Sequence, residues 1–143
     1  MYQNCQKLVN GKNHQYDFSN ITVLIAEDDI FNQFFLQEIL RSTNATILMA
    51  ENGEKALELM ESNPGIDIAL FDIKMPVMDG LTLARSVKAK YDGVPMIAQT
   101  AHILPQDKTI AFQAGFSELI TKPIDREKLL RLIAYYTSIS RVS

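Results

Sequence analysis

Residues 22–29 read TVLIAEDD. An unbroken apolar run, Val23 to Ala26, ends in three acids: Glu27, Asp28 and Asp29. A strand with one wet face alternates apolar and polar residues. A continuous run has both faces covered, as in a parallel sheet sandwiched by helices. The same character recurs at 46–50 (TILMA) and 67–71 (DIALF), and shorter strand-like runs lie at 95–99 (PMIAQ) and 118–121 (ELIT). Five strands are therefore expected at these positions, the first three buried on both faces.

Between them the apolar spacing changes to three and four residues. Phe31, Phe34, Phe35 and Ile39 form one such stripe, Leu81, Ala84, Val87 and Tyr91 a second, and Leu129, Leu130, Ile133 and Tyr136 a third. Weaker patterns at 53–62 and 106–114 have helical length. Asp29, Asn52 and Asp79 are good N-cap residues at the expected starts. Strands alternating with helices make an α/β domain, a doubly wound parallel sheet.

The chain of 143 residues is one domain's worth, about 100–150 residues being the usual size. Residues 1–20 carry many Asn and Gln and few aliphatics, and read as a polar N-terminal arm or linker. Tyr2, Cys5, Leu8 and Val9 have helix-like spacing within it. The compact domain is expected over 21–139. A single cysteine, Cys5, excludes an internal disulfide and a four-cysteine zinc site, and points to a reducing cytoplasm. Net charge is −3, without the basic excess of a nucleic-acid binder. No apolar run approaches the roughly 20 residues of a membrane-spanning helix, and no signal-peptide core is present.

Parallel strands present their carboxyl ends at one edge, where ligands bind. Glu27, Asp28 and Asp29 follow the first strand, Asp72 the third, Thr100 the fourth and Lys122 the fifth. Carboxylates from strands one and three can share an ion only if those strands are neighbours. This selects the order 2-1-3-4-5, with the polar fifth strand at an edge. Glu27, Asp28 and Asp72 against Lys122 leave two net negative charges in a small volume. Such crowding calls for a divalent cation, and an all-oxygen set selects Mg²⁺ or Mn²⁺ before Zn²⁺. Asp72 is the candidate nucleophile, because an Asp carboxylate can accept a phosphoryl group. Lys122 can stabilise charge on that group, and Thr100 can donate a hydrogen bond to it. Asp29 and Asp79 read as helix caps, Met75 and Met78 as loop packing, and His14 and His102 as solvated side chains.

The order Glu27-Asp28, Asp72-x-x-Met75-Pro76-x-x-Asp79-Gly80, Thr100-Ala101 and Lys122-Pro123 resembles the receiver domain of two-component response regulators, over about residues 21–139. The resemblance implies a flavodoxin-like (βα)5 fold. It also implies phosphoryl transfer onto Asp72 from a phosphohistidine of a histidine kinase or histidine phosphotransfer domain. Mg²⁺ would be bound by Glu27, Asp28, Asp72 and the backbone carbonyl of Lys74, with Thr100 and Lys122 on the phosphoryl group. The Lys122–Pro123 bond is expected to be cis. The family's aromatic switch position holds Leu119 here, a departure that touches the switching step and leaves the phosphorylation chemistry alone. The implied protein is a cytoplasmic signalling module, monomeric or weakly dimeric, and not an enzyme beyond self-phosphorylation and slow autodephosphorylation. AGFSELITKPI, residues 114–124, and the polar arm are similar to receivers at the end of hybrid sensor kinases.

Three other functions compete. An Asp-nucleophile phosphatase would want a second Asp two residues after Asp72, where Lys74 stands. A flavin binder would need a hydroxyl-rich phosphate loop after the first strand, where acids would repel phosphate. A degenerate receiver serving as a protein-binding scaffold would not need the complete set of chemical residues.

Overall fold

The computed structural model describes residues 9–10, 15–101 and 103–142. Cys5, His14 and His102, like Tyr2 and Leu8 of the proposed helical spacing, lie outside the described residues. Numbering the elements of the main sheet in chain order, the strands are β1 (Thr22–Ala26), β2 (Thr46–Ala50), β3 (Ile68–Asp72), β4 (Met96–Thr100) and β5 (Glu118–Thr121). The helices are α1 (Ile30–Arg41), α2 (Gly53–Ser62), α3 (Gly80–Lys90), α4 (Pro105–Ala114) and α5 (Arg126–Val142). All pairings in this sheet are parallel and the order is β2-β1-β3-β4-β5, the flavodoxin-like arrangement.

Local chemistry starts the helices where the sequence places them. Asp29 accepts from the Phe31 N–H, Asn52 from Lys55 and Asp79 from Thr82. α4 begins on Pro105, whose missing N–H costs nothing at that position. Asp107 closes its first turn by accepting from the Leu104 N–H. Two strands shift by one residue. Pro95, with no N–H to give, precedes β4 and offers only its carbonyl, to Ala69. Asp67 stays outside β3 and turns its carboxylate to the Thr22 N–H at 2.8 Å.

The core has two layers. Val23, Ile25, Leu70 and Ile97 face α1 and α5, while Leu24, Phe71 and Ala98 face α2, α3 and α4. Three expectations change on packing. β2 is only partly covered along most of its length, because it is an edge strand with a single neighbour. On α1 the buried residues are Leu36, Ile39 and Leu40. Phe31 and Phe34 point outward at 81% and 64% exposure. The sheet offers α1 room for one stripe, and the branched aliphatics take it. Third, Val9 is in a strand: Val9–Asn10 pairs antiparallel with Gln15–Tyr16.

The core also reaches ahead of Ile21. Phe18 is fully buried, its ring tilted 37° to the Tyr16 ring with centroids 5.5 Å apart, and its N–H donates to the Thr43 carbonyl at 2.7 Å. Phe18→Ala should cost about 3–5 kcal/mol, as for other buried Phe truncations. The readout is a melting temperature lower by about 10 °C or more. A drop of only a degree or two would mean that Phe18 is not part of the core.

Candidate functional site

The three carboxylates meet at the carboxyl edge of β1 and β3. Glu27, Asp28 and Asp72 each bring an oxygen within 4.8 Å of the others. Glu27 continues β1, its N–H donating to the Ala50 carbonyl, and its own carbonyl accepts from Gln33 Nε2 of α1 at 2.7 Å. Its side chain is fully buried. One oxygen, Oε2, accepts from the Asp29 N–H at 3.0 Å. The other, Oε1, lies 3.0 Å from Lys122 Nζ but makes no directed hydrogen bond, so charge alone holds it. Asp72 ends β3, with Oδ1 accepting from the Lys74 N–H at 3.0 Å and Oδ2 from Lys122 Nζ at 2.7 Å. Asp28 is exposed at the mouth.

Lys122 thus bridges two buried carboxylates. Burial alone would pull its ammonium down in pKa, but Asp72 and then Glu27 outweigh that, and the pKa is raised. For Glu27, burial pushes the carboxyl up; the Asp29 N–H and Lys122 pull it back, and the Asp72 charge adds to the rise. The bond between Lys122 and Pro123 is cis. The Lys122 N–H donates to the carbonyl of Thr100, which joins the ends of β4 and β5.

The loop after Asp72 is pressed from two sides. Gly80, the first residue of α3, lies so close to Asp72 that a Cβ there would sit 2.2 Å from the Asp72 carbonyl oxygen. A Cβ on Gly53, which opens α2, would be 2.7 Å from the Met78 carbonyl oxygen. Between them Val77 takes a φ of 68°, unusual for a β-branched residue. Beside this loop a cleft of about 290 Å³ is lined by Lys74, Thr100, Ala101 and Leu104. Leu119 on β5 is buried in the layer that holds Phe71 and Phe116.

The structure brings Glu27, Asp28, Asp72 and Lys122 together, with Lys74 and Thr100 on the rim of the adjoining cleft. Asp29 and Asp79 serve as caps. Two polar residues beside the site escape the sequence reading. Gln33 anchors the Glu27 backbone, and Gln99 is a fully buried polar residue on β4. A long polar side chain inside an otherwise apolar strand was the available signal for Gln99; Gln33 had none.

Neutralising Glu27 and Asp28 tests the crowding. A carboxyl raised by folding contributes stability below its unfolded pKa and loses it as pH rises through the folded one. Glu27→Gln with Asp28→Asn should therefore melt at an equal or higher temperature in chelator at neutral pH. A rise of a few degrees corresponds to about 1 kcal/mol at this size. A clear loss of melting temperature would count against mutual repulsion among these groups.

Three comparisons bear on this site. The family model of the response regulator receiver domain matches residues 23–134. The sensor protein TorS of Escherichia coli K12 is 30% identical over 87% of this chain, which spans only 14% of TorS. Two solved structures share the fold. The receiver domain of the sensor histidine kinase PA1611 from Pseudomonas aeruginosa PAO1, with magnesium coordinated in its active site cleft, is 30% identical, with TM-score 0.75 over 82% of this chain and 97% of its own. In the complex of the Saccharomyces cerevisiae histidine phosphotransfer protein Ypd1 with the receiver domain of Ssk1, the match is 27% identical, with TM-score 0.78 over 83% of this chain and 90% of the other.

Proposed function

The chain belongs to the response regulator receiver domain family, and from that premise we propose that Asp72 is its phosphoacceptor, charged in a Mg²⁺-dependent step by a phosphohistidine protein. The observation that carries this reading is the clamp on Asp72. One oxygen is held by the Lys74 N–H, the other by Lys122, beside two further carboxylates. Lys122 turns the nucleophile and neutralises charge gathering on the transferred group. The Asp72 oxygen bonds to phosphorus as the donor's P–N or P–O bond breaks, and the donor keeps that electron pair.

The donor set fits a hard divalent ion. Glu27 Oε1 is buried without a hydrogen bond, Asp28 faces the mouth, and all side-chain donors are oxygens. Glu27, Asp28, Asp72 and the Lys74 carbonyl would hold Mg²⁺ or, second, Mn²⁺. When bound, the ion supplies charge compensation to the phosphoryl oxygens. Thr100 at the cleft is read as a donor to those oxygens. Leu119, having no polar tip, is read as a switch position that stays buried. The unit is taken as residues 21–139 with the Tyr16–Phe18 anchor, the polar residues ahead acting as a linker.

The partner reading rests on α1. Ile30, Phe31 and Phe34 are 71%, 81% and 64% exposed, on the helix that starts directly after Glu27-Asp28-Asp29. An apolar face next to a phosphoacceptor suits a histidine phosphotransfer domain or histidine kinase helix that must bring its phosphohistidine to Asp72. Among the described residues, no helix is long and apolar enough to cross a membrane. A cytoplasmic location, a monomeric or weakly dimeric state and no catalytic turnover of outside substrates go with this reading.

Incubation with acetyl phosphate and Mg²⁺ should add one phosphoryl group by intact mass, and chelator should prevent it. No label under these conditions would favour a protein-binding scaffold; steady hydrolysis of phosphomonoesters would favour a phosphatase. Phe31→Ser with Phe34→Ser should keep labelling by acetyl phosphate yet lower the transfer rate from a phosphorylated histidine phosphotransfer protein about tenfold or more. Equal loss with both donors would remove the docking role.

A further inference from the structure

Gln33 braces the turn between β1 and α1 at two points. Its N–H donates to the Asp29 carbonyl at 2.9 Å, the first bond of the helix ladder. Its side-chain Nε2 donates to the Glu27 carbonyl at 2.7 Å. One acceptor precedes Asp28 and the other follows it. A peptide group is planar, so a bond to the Glu27 carbonyl also fixes the plane that carries the Asp28 N–H. The next plane, from Asp28 to Asp29, is fixed in the same way, because the Asp29 N–H donates to Glu27 Oε2 at 3.0 Å. Asp28 is the joint between two held planes.

Its side chain has no such support. Glu27 is tied to the Asp29 N–H and to Lys122, and Asp72 to the Lys74 N–H and to Lys122. Among the described residues no hydrogen bond or ion pair holds the Asp28 carboxylate, which is exposed. The like charges of Glu27 and Asp72 favour turning it out into water. Yet one Asp28 oxygen lies within 4.8 Å of oxygens on both of them. The backbone keeps it there.

We propose that Gln33 is a positioning residue for the divalent cation: through the Glu27–Asp28 peptide it aims Asp28 into the cluster, and so sets the affinity for the ion. This rests on the reading of Glu27, Asp28 and Asp72 as ligands of Mg²⁺. Without the Nε2 bond the first plane can rock, the Asp28 carboxylate spreads over many directions, and binding has to order it again. A partner that orients a metal ligand is worth about 10–100-fold in affinity. Glu27 and Asp72 keep their own hydrogen bonds when Gln33 lets go, so the loss belongs at the lower end of that range.

The probe is Mn²⁺ alone, with no phosphodonor, its free concentration read by electron paramagnetic resonance. The natural chain should bind it saturably and release it to excess Mg²⁺. Gln33→Met keeps the side-chain length and the main-chain bond to Asp29 but has no donor for the Glu27 carbonyl. It should melt within a few degrees of the natural chain, bind Mn²⁺ about tenfold more weakly, and shift the amide nitrogen resonance of Asp28. Gln33→Glu separates aim from charge. An added negative charge beside the cluster by itself tightens cation binding, whereas loss of the donor weakens it, and weaker binding is expected. In an Asp28→Asn background, Gln33→Met should cost less than about twofold, because the charge it aims has already gone. Absence of saturable Mn²⁺ binding by the natural chain would overturn the ligand reading and this inference with it. With the natural chain binding, four results would each overturn the role of Gln33 alone. They are unchanged affinity in Gln33→Met, tighter binding by Gln33→Glu, a full tenfold cost in the Asp28→Asn background, and unfolding of both single variants, which would make Gln33 a structural brace.

Discussion

Asp72→Asn is expected to abolish labelling by acetyl phosphate, leaving only the background seen for the natural chain in chelator. The carboxamide that replaces the carboxylate has its nitrogen lone pair delocalised and its oxygen uncharged, so no competent nucleophile remains. Energetically the exchange is two-sided. The charge-assisted bond from Lys122 to Asp72 Oδ2 is lost, a term of roughly 1.5–3 kcal/mol. Against it, one of three crowded carboxylates disappears, and Lys122 keeps Glu27 at 3.0 Å. Stability should therefore move little, within about 1–2 kcal/mol, and the variant should keep the circular dichroism of the natural chain. Full labelling of a folded Asp72→Asn protein would place the phosphoryl group elsewhere. A folded, unlabelled variant is the outcome that distinguishes chemistry from collapse.

Gly80→Ala should do the reverse, with a large loss of stability and damage to the site as a consequence. Helix propensity favours Ala over Gly by about 1 kcal/mol in a helix interior, so a reading from the helix alone predicts stabilisation. Contact decides otherwise. The new Cβ would fall 2.2 Å from the Asp72 carbonyl oxygen, 2.8 Å from Ile73 Cα and 2.9 Å from the Asp72 carbonyl carbon. These are backbone atoms of Asp72, the last residue of the buried central strand, and of Ile73 beside it, and they cannot swing aside as a long side chain would. Either α3 shifts outward, breaking the Gly80 N–H bond to the Ile73 carbonyl at 2.8 Å, or β3 bends. Overpacking of this kind costs about 1–3 kcal/mol and sometimes more, and a contact this short belongs at the upper end. Denaturant unfolding should report about 3 kcal/mol lost, and acetyl phosphate labelling should slow because Asp72 moves with its backbone. An unchanged midpoint would mean that the helix start has slack.

The cluster of Glu27, Asp28, Asp72, Thr100 and Lys122 at one edge was legible from the linear sequence. Each residue closes an apolar run, and parallel strands all point their carboxyl ends the same way. Neighbouring β1 and β3 followed from the carboxylates themselves, and the observed order agrees. The caps at Asp29, Asn52 and Asp79 were legible for a similar reason: a side chain reaching two or three residues along its own backbone needs no tertiary information.

Tertiary structure decided matters of competition. The α1 pattern predicted a helix correctly but misidentified its buried face, since Phe31, Phe34, Leu36 and Ile39 are all apolar and only the space above the sheet chooses among them. Phe18 looked like part of a polar arm until the gap beside Thr43 and Tyr16 was there to receive it. β2 takes the edge place that the expected order gave it, but its continuous apolar run predicted cover on both faces, and with a single neighbour most of its length is only partly buried. Glu27 Oε1 and the Gln99 amide complete the contrast. Residue type shows that a group is polar, but the lack of a hydrogen-bond partner depends on every neighbour the fold brings near. Local sequence sets period and polarity at short range, whereas burial is shared out among all segments at once.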